Sequence, residues 1–126
     1  MMRGNGTMVR LGLLVLAACL AGTIDLARAA EVSFALRIEN GRLPQNMRLI
    51  RVKQNDVVKL QWSADKPVVI HLHGYDIEKE VAPGAVTEMT FTARATGRFT
   101  VEPHLAKQPG GGHAHGNVLV TIEVYP

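Results

Sequence analysis

One cysteine, Cys19, occurs in the 126 residues, and no methionine follows Met89. From residue 20 onward there is no thiol, which excludes disulfides, Cys-x-x-Cys zinc sites and a thiol nucleophile there. No apolar run is long enough to span a bilayer, because the longest ends near Ile24 and a span needs about 20 residues. No segment carries a stripe of helical length at i, i+3, i+4, i+7. A Ser-His-Asp order, paired carboxylates and a phosphate-binding glycine loop are also missing. Excess charge of one sign is absent too, once the N-terminal segment is set aside. The whole chain has a net charge of +3. Residues 30–126 hold 11 basic and 10 acidic residues, with the basic ones scattered, so nothing points to nucleic acid.

The N-terminus has the order of an export signal. Arg3 and Arg10 come before an uncharged apolar stretch over residues 11–20, and Ala27-Arg28-Ala29 is an A-x-A cleavage signal. Residues 1–29 are therefore expected to be a signal peptide, and 30–126 one exported domain, periplasmic or secreted. Leu16-Ala17-Ala18-Cys19 resembles a lipobox, which would instead anchor the chain as a lipoprotein at Cys19. Ninety-seven residues suffice for one core but not two.

What remains reads as short strands. Val32, Phe34, Leu36 and Ile38 alternate with polar or small residues, as do Val58, Leu60 and Trp62, then Met89, Phe91 and Ala93, then Val118, Val120, Ile122 and Val124. Residues 47–52, 68–72 and 99–101 are further strand candidates. Turn signals separate them at Asn40-Gly41, 54–56, 65–67 and Thr96-Gly97, and residues 74–85 read as a loop closed by Pro83-Gly84. The pattern predicts an all-β sandwich or barrel. Trp62 reads as core, and Tyr75 as a surface loop residue or a hydrogen bonder beside a site.

Four of the five histidines fall in two short units. His71-Leu72-His73-Gly74 and His113-Ala114-His115-Gly116 are two His-x-His-Gly units, and His104 lies between them. Side chains at i and i+2 of a strand share a face, so each unit offers two imidazoles to one small volume. The residues expected to bind metal are His71, His73, His104, His113 and His115, with Asp76 and Glu102 as candidate carboxylate ligands. Imidazole without thiolate suits Cu(II), with zinc and nickel as alternatives and copper strongest by affinity order. If residues 68–73 are extended, Val68, Ile70 and Leu72 face the core, and the histidines lie on the opposite face or curl over the strand end.

The order of features resembles the cupredoxin family over about residues 31–126. A His follows an Asn-Asp turn and an apolar strand. Then come a Pro-Gly loop, an alternating strand, a Gly-x-Phe strand (Gly97-Arg98-Phe99) ending near a His, and a last strand. The resemblance implies a Greek-key β-sandwich, with metal at one end of it. His71 falls where the family's early His belongs and His104 at or beside its later one. Glu102 or Pro103 stands where the family has Cys, and no Met follows, so a blue-copper site is not expected. The His-x-His-Gly units are also similar to motifs of multicopper oxidases.

Together these readings predict an exported copper-binding protein with a non-blue site, serving copper storage, delivery or tolerance. Its partner would be the metal ion itself or a periplasmic or membrane copper-handling protein. The alternatives are a type-2-like copper enzyme or a site shared within an oligomer, and a metal-free cupredoxin-like interaction module.

Overall fold

In a computed structural model that describes residues 29–104 and 117–126, the chain forms eight strands in two sheets. Strands β1 (Glu31–Ile38), β3 (Val57–Ala64) and β6 (Thr87–Thr92) make one sheet in the order β1-β3-β6. The other has the order β2-β8-β7-β4-β5. Its members are β2 (Leu49–Lys53), β4 (Val68–Leu72), β5 (Ile77–Val81), β7 (Gly97–His104) and β8 (Val120–Tyr125). The chain crosses repeatedly between the sheets, so that β1 pairs parallel with β3 and β2 parallel with β8. This is the expected Greek-key sandwich.

Alternation in sequence becomes alternation in space. Leu36, Leu60, Trp62, Met89 and Phe91 line the inner face of the smaller sheet. Ile50, Ile70, Leu72, Val101 and Ile122 line that of the larger, and all are buried. Each such side chain contributes roughly 1.5–3 kcal/mol by leaving water. Trp62 has no exposed surface, as expected of a core residue.

Turn chemistry sets the connections. Asn40 and Gly41 have φ of 50° and 74°, the positive pair that a type I′ turn requires. Glu39 and Arg42 close this turn with reciprocal backbone hydrogen bonds of 2.9 and 3.0 Å. Asp65, from the β3–β4 turn, accepts a hydrogen bond from the Asn40 N–H at 3.0 Å, and this bond holds its carboxyl below the ordinary range.

One element departs from the sequence reading. Residues 77–81 are a strand, not part of a loop. Only Ile77 and Val81 pack on the core, while the middle residues Glu78, Lys79 and Glu80 are exposed. β5 is an edge strand paired to β4 alone, and charge on an edge is the ordinary guard against further pairing. The same charge hides the strand from an apolar pattern.

Candidate metal centre

The site begins with the parity of β4. Ile70 and Leu72 are fully buried, so His71 and His73 face outward from the larger sheet. β7 runs antiparallel beside β4, with His71 opposite Glu102 and Val69 opposite His104. The same pleat therefore brings Glu102 and His104 to the outer face. β5 flanks β4 on its other side and sets Glu78 opposite His71. Just past β4, the His73 N–H donates to the Thr100 carbonyl at 2.9 Å, which keeps His73 in register with β7.

Three imidazoles thus gather on one patch of sheet. The ring centroids of His71 and His73 are 4.5 Å apart, and those of His71 and His104 are 5.0 Å apart. The resemblance implied a site at one end of the sandwich. These histidines instead lie on the outer face, because His71 and His104 sit at strand positions whose partners fix the pleat and His73 follows directly after β4. His113 and His115 lie outside the described residues.

Each described histidine has a carboxylate beside it. His71 Nε2 is 3.2 Å from Asp76 Oδ1, His73 Nε2 is 3.3 Å from Glu102 Oε2, and His104 Nδ1 is 3.0 Å from Glu78 Oε2. Asp76 and Glu102 were expected near the histidines. Glu78 was not, because its place depends on β5 being a strand, and the Glu78-Lys79-Glu80 run leaves no apolar alternation to mark one. His71 Nδ1 is buried and has no hydrogen-bond partner among the described residues. Among those residues, no group of three or more His, Cys, Asp or Glu side chains is already arranged to hold a metal ion. His71 Nε2, His73 Nε2 and His104 Nδ1 each lie beside a different carboxylate rather than around one shared point.

Two neighbours have other tasks. Gly74 has φ of +88°, and a Cβ there would stand 2.6 Å from Phe99 Cδ1. The turn and the Phe99 ring require this glycine without any metal. Tyr75 is neither a surface loop residue nor a hydrogen bonder to the histidines. Its ring packs on Phe91 and Phe99 at centroid distances of 4.7 and 4.9 Å, and its hydroxyl is buried with no hydrogen-bond partner among the described residues.

The donors available are imidazole and carboxylate. Met89 is locked in the core, and no described residue supplies a thiolate. A blue-copper ligand set of two His, one Cys and an axial Met does not fit this face.

Strand order, pairing and core define the class: the domain is a cupredoxin-like β-sandwich. Solved structures with the same fold include the periplasmic domain of subunit II of cytochrome oxidase of Bradyrhizobium japonicum. It is 17% identical, with 77% of this chain covering 86% of that one at a TM-score of 0.56. A copper binding protein solved in the apo form is 13% identical over 77% of this chain and 90% of that one, TM-score 0.56. A multi-copper oxidase from Pseudomonas thermotolerans is 20% identical over 78% of this chain but only 30% of its own length, TM-score 0.56. At such identities the likeness is one of fold. No protein-family model and no curated protein sequence matches the chain. No helix among the described residues is long and apolar enough to cross a membrane.

Proposed function

We propose that this is an exported copper-binding protein whose non-blue site is built from His71, His73 and His104, joined by His113 and His115 of the second unit. Copper is its cargo, for storage, delivery to a periplasmic or membrane copper-handling protein, or tolerance. Residues 1–29 act as the signal peptide and 30–126 as the working domain. The observation that carries this reading is the patch of three imidazoles, with the His73 and His104 rings centred 4.5 and 5.0 Å from that of His71, and the buried His71 ring nitrogen that has no hydrogen-bond partner among the described residues. A buried polar atom without a partner costs about 1–3 kcal/mol, a cost that an ion bound at this nitrogen would remove. The copper chemistry named for several proteins of this fold adds support.

Titration of the purified protein with Cu(II) tests the proposal. The expected result is tight binding that the His71→Ala/His73→Ala variant loses. Equal affinity in the two proteins would overturn it.

A second reading, a metal-free interaction module, draws on a different observation. Every described histidine already has a carboxylate within 3.3 Å, which can satisfy it without an ion. The two readings part on whether copper raises the melting temperature.

A further inference from the structure

We propose that a cavity carrying Arg42 and Arg48, beside the β1–β2 connection, binds a small organic oxyanion, with the ligand's apolar body in an adjoining cavity. The site uses none of the histidines and stands apart from the copper reading.

The chain between β1 and β2 brings the two arginines together. Arg42 closes the Asn40-Gly41 turn, its backbone tied to Glu39. Leu43 is buried in the core. Pro44 then leads into a single 3-10 turn, Gln45–Met47, which returns the chain so that Arg48 stands beside Leu43. Arg48 Nε donates to the Leu43 carbonyl at 3.1 Å, and the Arg48 carbonyl accepts from the Thr121 N–H at 2.9 Å. Both guanidiniums are thus carried on fixed backbone. With Gly41, Leu43, Asn117 and Val118 they line a polar cavity of about 270 Å³.

Charge is what sets this pair apart. Arg37, Arg51 and Arg98 each have a carboxylate partner, at 2.7, 3.5 and 3.2 Å. Arg42 and Arg48 have no ion-pair partner within 4.0 Å among the described residues, and no carboxylate lines their cavity there. Two like charges on one small cavity repel, and an oxyanion between them replaces that repulsion with attraction. A guanidinium is a planar fork that matches carboxylate or phosphate oxygens two at a time. Leu43 occupies Nε of Arg48 and leaves both Nη atoms to donate, and the Asn117 amide is a further donor.

The neighbouring cavity selects what the oxyanion is attached to. It measures about 450 Å³, shares Gly41 and Asn117 with the first, and has Ile38, Pro67, Val68 and Pro103 among its walls. The boundary at Gly41 is low, since a Cβ there would meet nothing within 4 Å. An apolar chamber joined to a few convergent polar groups is the usual form of a small-molecule site. Asp65 and Lys66 also line this chamber. The Asn40 N–H holds the Asp65 carboxyl below its ordinary range, so it stays charged and turns an oxyanion toward the arginine end.

The test is a titration of the ¹⁵N-labelled protein, followed by amide chemical shifts, with octanoate, octanol and inorganic phosphate as probes. Octanoate should shift the amides of Gly41, Arg42, Val68 and Val118, with a dissociation constant of about 0.1–1 mM. Octanol and phosphate should each bind at least about tenfold more weakly. Arg42→Gln/Arg48→Gln should weaken octanoate binding by at least about tenfold. Lys79→Gln/Arg94→Gln removes the same charge from exposed positions elsewhere and should change it by less than about twofold. Arg42→Gln alone, whose exposed side chain has no carboxylate to lose, should cost about threefold or more and serves if the double variant fails to fold. No saturable shift with octanoate, or equal affinity in wild type and the arginine variants, would overturn the site. Octanol binding as tightly as octanoate would overturn the role of the arginines. Phosphate binding as tightly would overturn the apolar half.

Discussion

Gly74 is the residue where backbone and packing make the same demand. Its φ of +88° is left-handed, and the Phe99 ring fills the space where a side chain would begin. Gly84 is a natural control, with φ of +77° and nothing within 4 Å of its missing Cβ. Alanine at position 84 should cost only the backbone strain, about 1–2 kcal/mol. Alanine at position 74 should cost that plus overpacking against Phe99, about 2–5 kcal/mol in all. Thermal or urea unfolding of the two variants checks the difference, and equal costs would mean that Phe99 yields freely. The glycine ending the first His-x-His unit is thus explained by the turn and by Phe99. The histidines before it are explained by parity, since Ile70 and Leu72 take the core and leave His71 and His73 the outer face. That much could be read from residues 68–73 alone.

At the level of elements, β5 matters most. It has one neighbour, β4, whereas β4 lies between β5 and β7. Its apolar burial rests on Ile77 and Val81. Such an edge should open locally at lower free energy than the centre of the sheet. Amides of Ile77–Val81 should exchange with deuterium faster than those of Val68–Leu72, by at least about tenfold, which hydrogen-exchange mass spectrometry can measure. Equal rates would mean that β5 opens only together with the whole sheet. The other strands were legible because their apolar alternation serves a two-sided environment, core on one face and water on the other. β5 was not, because the exposed Glu78-Lys79-Glu80 run fills the positions where a pattern would show. Glu78 went unnoticed for the same reason: its relation to His104 is made by cross-strand register, which no local pattern encodes.

For the molecule as a whole, one core joins both sheets, with Trp62 on one inner face and Ile70, Leu72 and Ile122 on the other. A ligand bound only by the folded state then stabilises everything at once. Free Cu(II) at about a hundred times its dissociation constant should add about 2.7 kcal/mol. For a domain of this size that is a rise of roughly 10–20 °C in melting temperature, reversed by a chelator and absent in His71→Ala/His73→Ala. A calorimetric scan with and without copper reads it, and an unchanged melting temperature would favour the metal-free module. Residue order and alternation were enough to specify an all-β sandwich, its turns, its core tryptophan and the outward face of the first histidine pair, because each of these follows from spacing within a single segment. Tertiary structure alone brought His104, Glu78 and Glu102 beside that pair, and set them on a sheet face rather than at the sandwich's end. The reason is physical: neighbours across strands are chosen by pairing register, and register is fixed by how whole strands bury their apolar faces against one another.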